Sequence, residues 1–216
     1  NVISGNLWAG IHISGASATG NQVQGNYIGT DITGTAAIGN GTGSASNGGI
    51  DIDGGANANT IGGSVGGAGN LIANNTGPGV RVEGGTTLGN TIQENAIHSN
   101  TGIGIDLVSV GNQARQAPLM TTIKTDGAGL VAIDGSYSDP NITSQVLGIE
   151  YFSNQSNANE GRVYLDSDSF TTDGSGNASF SSEVSALVTD GEYVSATVTD
   201  SSGNTSEFSM GQVAVL

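Results

Sequence analysis

Apolar and polar residues in the first half of the chain follow two short patterns that recur. The first is Asn-x-Ile or Asn-x-Val, and the second is Gly-Ile/Val-x-Ile/Val/Leu. In Ile50–Asp53, isoleucines alternate with acids, a period of two that is typical of a strand with one buried face, so Ile50 and Ile52 are predicted to point inward. The first pattern begins at Asn1, Asn21, Asn26, Asn59, Asn70, Asn90 and Asn95, and the second at Gly10, Gly49, Gly79 and Gly104.

The two patterns also occur in a fixed order, two Asn motifs and then one Gly motif. Successive Gly motifs are 39, 30 and 25 residues apart, from Gly10 to Gly104. Repeats of variable length with three short strands each predict a parallel β-helix of about four rungs, with aliphatic columns inside. The recurring asparagines are predicted at the bends, each donating to one neighbouring rung and accepting from the other. The segment from Asp31 to Asn47 is predicted to loop out of the second rung.

From about Pro118 the pattern changes to the alternation and turn clusters of an antiparallel β-sandwich. We therefore predict an all-β chain with parallel β-helix repeats over residues 1–112, a linker over 113–117 and a sandwich over 118–216. Residues Val131, Ile133, Leu147, Ile149, Val163, Leu165, Phe180, Val194, Ala196 and Val198 are predicted to form the sandwich core. Its strands are predicted at Leu119–Thr125, Leu130–Ser136, Gln145–Ser153, Arg162–Asp168, Asn177–Val184, Tyr193–Thr199 and Gly211–Leu216.

Several motifs carry a family resemblance. The stretch from Gly25 to Asp31, Asn59–Gly63, Gly69–Ile72 and Gly104–Leu107 resemble the right-handed parallel β-helix repeats of large secreted bacterial and archaeal surface proteins. The hairpin sequence from Thr197 to Phe208 resembles the end of the Ig-like domains that commonly follow such repeats. The resemblance implies a right-handed β-helix with an Ig-like sandwich. It says little about activity, because one scaffold hosts many functions.

Composition narrows the function classes. The 216 residues include 4 Lys+Arg against 19 Asp+Glu, a formal net charge of −15, and no cysteine. So few basic residues argue against nucleic acid and against anionic membrane surfaces, and no stretch is long and apolar enough for membrane insertion. Without cysteine there are no disulfides or thiolate sites. Together with the resemblance, this favours an extracellular or cell-surface structural protein.

One outward-facing set of charges is the best candidate for chemistry. Aligning the Gly motifs places charged residues side by side on neighbouring rungs, a set that we call the charged stripe: His12, Asp51, Asp53, Arg81, Glu83 and Asp106. The favoured interpretation is a solvent-exposed charge ladder with Arg81 between Asp51 and Asp106, each pair contributing about 0–1 kcal/mol. The alternative is a site for an acidic sugar or a cation, walled by the Asp31–Asn47 loop.

The remaining polar candidates do not add up to a catalytic site. His98, Arg81 and Arg115 are the other basic candidates in the helical part, and His98 is favoured as a surface residue. Acids in Asp166–Asp168 and in the turns at Asp173 and Asp200 have oxygens suited to Ca²⁺, but capping of Asx turns is favoured. We therefore expect no enzyme and no cofactor. A carbohydrate-binding or polysaccharide-degrading β-helix module is the alternative, for which Trp8 and Tyr27 would stack on sugars.

The first repeat is incomplete, and this predicts a surface for self-association. Asn1–Asn6 matches the second Asn position and Gly10–Ile13 the Gly position, so the first strand of that rung is missing. The chain therefore reads as processed or trimmed. A bare rung end exposes apolar columns and unpaired backbone groups, so we expect head-to-tail self-association into a fibre, or an adhesin scaffold that contacts surface glycans. The predicted contact residues are Asn1, Val2, Ile3, Leu7, Trp8, Val213 and Val215.

Overall fold

The fold was determined as a computed structural model, which describes residues 1–44 and 47–216. The described chain is all-β, with no α-helix and one short 3₁₀ turn at Gly111–Ala114. It divides into two compact units. Unit 1 comprises residues 1–114 and 203–205, and unit 2 comprises residues 115–202 and 206–216. Gly203–Thr205 thus packs with unit 1, although the sequence assigned it to the second domain.

The described residues of unit 1 form eleven short strands in three parallel sheets. Every third strand returns to the same sheet, and the sheet orders are β1-β4-β7-β10, β2-β5-β8-β11 and β3-β6-β9. We call one passage through the three sheets a rung. The strands are β1 (Val2–Ile3), β2 (Ile11–Ser14), β3 (Gln22–Val23), β4 (Tyr27–Ile28), β5 (Ile50–Asp53), β6 (Thr60–Gly62), β7 (Leu71–Ala73), β8 (Val80–Glu83), β9 (Thr91–Gln93), β10 (Ala96–His98) and β11 (Ile105–Val108).

Aliphatic side chains fill the interior of unit 1. The register confirms the alignment of the Gly motifs, since Ile11 pairs with Ile50, Ile50 with Val80 and Val80 with Ile105. Successive rungs thus place like residues over one another, and burying each such side chain stabilises the fold by about 1.5–3 kcal/mol. The best-covered members of these columns are Ile28, Ile50, Ile52, Ile61, Ile72, Val80, Val82, Ile97 and Ile105.

The motif glycine is required by packing between rungs. A Cβ at Gly49 would lie 2.6 Å from Cγ2 of Ile72 and 2.7 Å from the carbonyl oxygen of Gly79. Any side chain there would push neighbouring rungs apart. Gly25 and Gly89, each directly before an asparagine, have positive φ (63° and 64°), a conformation in which glycine carries no steric penalty. This is why the asparagine motifs are so often preceded by glycine.

Asparagines at the bends form three ladders, two of which follow the Asn-x-Ile motif as predicted. Nδ2 of one asparagine donates to Oδ1 of its counterpart in the next rung, at 2.9 Å both from Asn70 to Asn95 and from Asn75 to Asn100; only the last link, from Asn90 to Asn112, uses the backbone N–H alone. The same Oδ1 atoms also accept backbone N–H groups, so each interior amide joins two rungs. The ladders are Asn1–Asn26–Asn70–Asn95, Asn6–Asn40–Asn75–Asn100 and Asn21–Asn59–Asn90–Asn112.

Gly203–Thr205 completes the last part of unit 1. Asn204 Oδ1 accepts the N–H of Gly89 at 2.7 Å, and Thr205 Oγ1 accepts the N–H of Ile92 at 3.0 Å. Nδ2 of Asn112 donates to the carbonyl of Thr205 at 3.3 Å. Backbone groups of β9, which would otherwise lack a partner on this side, are thereby bonded.

Unit 2 is a single seven-stranded mixed sheet in the order β15-β14-β17-β18-β12-β13-β16. The neighbours are antiparallel except β12 and β18, whose parallel pairing departs from the purely antiparallel prediction. Asp168 on β15 accepts a bond from Ser182 on β16 at 2.7 Å, so the outermost strands approach each other and nearly close the sheet. The strands are β12 (Leu119–Thr125), β13 (Val131–Ser138), β14 (Val146–Asn154), β15 (Val163–Thr171), β16 (Asn177–Val184), β17 (Tyr193–Thr199) and β18 (Gln212–Val215).

The core of unit 2 contains the predicted residues with two exceptions. Val163 is exposed and Leu165 is only half-buried. The register between β14 and β15 shifts between Tyr151 and Phe152, and such a bulge reverses which residues of the strand face inward. Aromatic residues supply much of the core, including Tyr137, Tyr151 and the stacked pair Phe170 and Phe180, whose ring centroids are 5.2 Å apart.

Candidate functional site

The charged stripe forms on the sheet β2-β5-β8-β11, as the alignment of the motifs predicted. His12 pairs with Asp51, Asp51 with Arg81, and Arg81 with Asp106 across the parallel strands. Asp53 lies beside Ser14, and Glu83 beside Val108. These residues alternate with the buried aliphatic positions, so they occupy the outer face of the sheet.

The ion pairs within the stripe differ from the expected ladder. Nε2 of His12 lies 2.9 Å from Oδ2 of Asp53, and the guanidinium of Arg81 lies 2.7 Å from Oε2 of Glu83. Arg81 therefore pairs along its own strand, whereas the prediction placed it between Asp51 and Asp106. A spacing of two residues puts Arg81 and Glu83 on the same face of the strand, and the longer Glu side chain reaches the guanidinium.

Asp51 is the unusual member of the stripe. Its side chain is only 5% exposed, although the strand pattern places it on the outer face. Oδ1 is buried and makes no hydrogen bond with any residue that the structure describes. Burial raises the pKa of Asp51, and the positive charge of Arg81, followed by that of His12, opposes the rise. The aspartate is shorter than the side chains that flank it, and they shield it from water.

Asp53 behaves in the opposite way. Burial raises its pKa, but hydrogen bonds from Ser14 and His12 and the charge of His12 outweigh that effect, so the net pKa is lowered. Asp53 and Glu83 also line a shallow pocket of about 380 Å³ with the turns Gly54–Gly55 and Gly84–Thr87. None of the described residues of the Asp31–Asn47 segment lines this pocket, and its Gly34 lies against Tyr27 and Leu71 on a different sheet; residues 45 and 46 of the segment lie outside the described residues.

The acids considered for Ca²⁺ bind backbone N–H groups. Oδ1 of Asp173 accepts from Ser175 and Asn177 at 2.8 and 2.9 Å, and these bonds lower the pKa of the exposed carboxyl. Asp166 accepts the N–H of Ser167, and Asp168 that of Ser169. Asp173, and Asp200 with the N–H of Ser202 at 2.9 Å, form the Asx turns that the sequence analysis favoured, whereas Asp166 and Asp168 bond to the next residue within β15. Within residues 1–44 and 47–216 there is no group of three or more acids or histidines placed to hold a metal ion.

Arg115 and Asp200 belong to a buried ionic cluster that sequence reasoning missed. In unit 2, Nη1 of Arg115 lies 2.7 Å from Asp139 Oδ2, and Nη2 lies 2.9 Å from Asp200 Oδ2. All three side chains are at most 4% exposed. Burial raises the pKa of Asp139, but bonds from the Asn141 backbone and the charge of Arg115 lower it more. Arg115 is therefore a structural residue of unit 2, not a surface base.

The remaining candidate residues, His98, Tyr27 and Trp8, lie at separate places in unit 1. His98 is half-buried on β10, with Nδ1 3.0 Å from the hydroxyl of Ser99. Tyr27 is half-buried on β4, and Trp8 is 61% exposed between β1 and β2. Trp8 thus belongs to the first rung, before β2, and Tyr27 to the second, on β4.

The first rung presents an open edge among the described residues. β1, β2 and β3 each stand at the end of their sheet. Asn1, Asn6 and Asn21 donate to the second rung, and none of their Oδ1 atoms accepts a bond from a described residue. Val2, Leu7 and Trp8 are exposed beside this edge, and Ile3 is half-buried. We call these backbone, amide and apolar groups together the first-rung edge.

The last two predicted contact residues lie elsewhere. Val213 pairs with Tyr193 and Val215 with Lys124, so β18 is hydrogen-bonded on both sides. A strand in the middle of a sheet cannot be donated to another subunit without opening that sheet. The contact predicted at Val213 and Val215 would therefore have to form on a strand that is already paired.

Sequence reasoning also missed the ladder Asn6–Asn40–Asn75–Asn100, which does not follow the Asn-x-Ile pattern. A signal was present: Asn6, Asn75 and Asn100 each stand four residues before a motif glycine. Asn40 breaks this spacing because the longer loop to Gly49 follows it.

Comparison with known proteins gives no match, either to a family model or to a curated protein. No helix in the described chain is long and apolar enough to cross a membrane.

Proposed function

We propose that the chain is a non-enzymatic structural module of an extracellular or cell-surface protein, which assembles end to end through the first-rung edge. Its first part is a right-handed parallel β-helix and its second an Ig-like sandwich. The cyclic return of every third strand to the same sheet supports the β-helix. In unit 2, we interpret β12-β13-β16 and β15-β14-β17-β18, two parts of the seven-stranded sheet, as the two layers of an Ig-like sandwich.

The observation that carries the proposal is the match between the first-rung edge and the junctions inside unit 1. At most interior junctions, an asparagine Oδ1 accepts both the backbone N–H and the Nδ2 of the preceding asparagine, as Asn70 accepts from Asn26 at 3.0 Å. Asn1, Asn6 and Asn21 present the same acceptors with no donor from the described residues. A β-structured rung with asparagines at its bends is therefore the complementary surface.

Unpaired strand edges and exposed apolar groups also support assembly through the first-rung edge. An unpaired strand edge is a template for pairing with another chain. Leu7 and Trp8 are 59% and 61% exposed beside it, and large aromatic residues often anchor protein interfaces. The partner that we propose is a second copy of the protein. A head-to-tail contact that does not close produces a filament.

The net charge of −15 sets the conditions for the test. Like charges repel, and salt screens them, so assembly should increase with ionic strength. Light scattering and negative-stain electron microscopy across salt should show growing end-to-end oligomers. The double substitution Leu7→Ser and Trp8→Ser should abolish them, whereas Leu187→Ser, at an exposed apolar residue of unit 2, should not. A strictly monomeric protein at high concentration and high salt would contradict the assembly.

Glycan binding at the charged stripe is the second candidate, favoured by the buried carboxyl of Asp51 beside the pocket of Asp53 and Glu83. Screening on acidic polysaccharides, with and without Ca²⁺, separates the two functions. Turnover or binding that is lost in Asp51→Ala or Arg81→Ala would replace the structural proposal with this one.

A further inference from the structure

The dipeptide Asn-Gly occurs twice in the chain, at Asn40–Gly41 and at Asn47–Gly48. In this sequence the backbone nitrogen of the glycine can attack the side-chain amide of the asparagine, because glycine has no Cβ to hinder the approach. The reaction needs a mobile side chain and a free glycine N–H. The two Asn-Gly dipeptides differ in how firmly hydrogen bonds hold these groups.

Asn40 is held in place from all sides. It is fully buried, its Oδ1 accepts from the backbone and side chain of Asn6, and its Nδ2 donates to Asn75 Oδ1 at 2.9 Å. The N–H of Gly41, which would be the nucleophile, donates to the carbonyls of Asn6 and Trp8 at 3.0 and 2.8 Å. Reaction here would require the ladder to open.

Asn47 lacks these restraints. Its side chain is half-buried and makes no hydrogen bond with the residues that the structure describes, and the same is true of the N–H of Gly48. Its own N–H donates to the carbonyl of Ser44 at 3.0 Å. Although Gly48 is buried, no hydrogen bond to a described residue thus holds the side-chain amide of Asn47 or the N–H of Gly48.

We propose that Asn47 is a site of spontaneous deamidation. The deprotonated nitrogen of Gly48 bonds to Cγ of Asn47, the Cγ–Nδ2 bond breaks, and ammonia leaves with the proton, which produces a five-membered succinimide. Water then opens the ring at either carbonyl, giving aspartate or isoaspartate at position 47. No oxidant, metal or enzyme takes part, and each event adds one negative charge.

The fold keeps the consequence local. The carbonyls of Gly48 and Gly49 accept the N–H groups of Gly10 and Ile11 at 3.4 and 3.1 Å, so the chain directly after Asn47 is tied into the sheet. The extra backbone carbon of isoaspartate falls on the loop side of this anchor. The aliphatic columns are expected to remain intact.

Peptide mass spectrometry after prolonged incubation at mildly alkaline pH tests the proposal. Cleavage before aspartate releases residues 31–50, which contain both dipeptides. An additional cut before position 47 reports aspartate, and an uncut peptide of the deamidated mass reports isoaspartate. In the folded chain, position 47 should react at least about tenfold faster than position 40, because Asn40 reacts only through local opening.

Two controls keep the test decisive. In the urea-unfolded chain both positions should react, since the ladder no longer protects Asn40. Asn47→Gln should remove the fast reaction and leave Asn40 intact. Equal rates at the two positions in the folded chain, or no reaction at position 47 when the unfolded chain reacts, would overturn the proposal.

Discussion

Units 1 and 2 are both all-β, yet they satisfy their buried polar groups in different ways. Unit 1 repeats one solution, an asparagine amide that joins each rung to the next, and surrounds it with aliphatic columns. Unit 2 has a core of aliphatic and aromatic residues and a buried ionic cluster around Arg115. In unit 1 the same amide bond recurs from rung to rung, whereas in unit 2 three buried charges, Arg115, Asp139 and Asp200, meet at one point.

This difference predicts different responses to substitution. In a stacked repeat, each rung depends mainly on its two neighbours, so damage depends on where in the ladder it falls. In a single core, loss of one member of a buried charge cluster leaves the remaining charges buried without a counter-charge, which is unfavourable in a medium of low polarity. The substitutions below, from the largest expected effect to the smallest, test this distinction.

Arg115→Met should have the largest effect. It removes the guanidinium that pairs with both Asp139 and Asp200, and breaking a buried ion pair typically costs about 3–5 kcal/mol. Hydrogen exchange measured by mass spectrometry should show lost protection in the peptides of unit 2. The triple variant Arg115→Met, Asp139→Asn, Asp200→Asn should recover part of the loss, because no uncompensated charge is left. Equal destabilisation by both variants would mean that packing, not charge, dominates.

Asn75→Ala should come next, with its effect on unit 1. Asn75 is fully buried, accepts from Asn40 and donates to Asn100, Ile28 and Ala73. Its loss leaves several buried groups unsatisfied, and each costs about 1–3 kcal/mol. Asn6→Ala, at the exposed end of the same ladder, should cost less than about 1 kcal/mol. Urea unfolding of the two variants compares them, and similar costs would refute the dependence on position.

The ladders also show how far sequence reasoning reaches. The strand registers of unit 1 were predictable, because the same sequence pattern recurs once per rung. Aligning the repeats therefore pairs Ile50 with Val80 on the neighbouring strand. The Asn21 and Asn26 ladders followed from the same motif. The ionic cluster was not predictable, since Arg115, Asp139 and Asp200 are far apart in the chain and belong to no repeat.

The candidate site was predicted in position but not in chemistry. The alignment placed the residues of the charged stripe side by side, but it could not show which acid each cation would select. Nor could the alignment show that Asp51 is buried. Alternation along a strand gives the face of the sheet on which a residue lies, but not how far neighbouring side chains cover it. The bulge that exposes Val163 is a backbone irregularity of the same kind, with no clear mark in the alternation.

Acid should affect Asp51 and Asp139 in opposite directions. The pKa of Asp51 is raised on folding, so its cost to stability is complete above the folded pKa and disappears as pH falls toward the unfolded value. The pKa of Asp139 is lowered, so its contribution is present above the unfolded pKa and is lost as pH falls through the folded one.

Asp51→Asn tests the unit 1 half of this contrast. The amide removes the unpaired buried charge, so the variant should be more stable than the parent by roughly 1 kcal/mol at neutral pH, and the gain should shrink in acid. Thermal unfolding followed by circular dichroism from neutral to acidic pH measures it. Asp106→Asn, on the same face, is the matched control. A loss of stability at neutral pH would show that Asp51 is paired in solution.

The smallest expected effect is the coupling energy between His12 and Asp53, an exposed pair that can be compared with the buried pair Arg115 and Asp139. His12 and Asp53 form an ion pair when His12 is protonated, with side chains 55% and 30% exposed, whereas Arg115 and Asp139 are 1% and 3% exposed. Water and salt screen the first pair, so a double-mutant cycle with His12→Ala and Asp53→Asn should give a coupling below about 1 kcal/mol that decreases with salt. The corresponding cycle with Arg115→Met and Asp139→Asn should give a larger coupling that salt barely changes. If the His12–Asp53 coupling equals the buried one, burial does not account for the difference between the two units, and the charged stripe makes a larger contribution to the stability of unit 1 than its exposure implies.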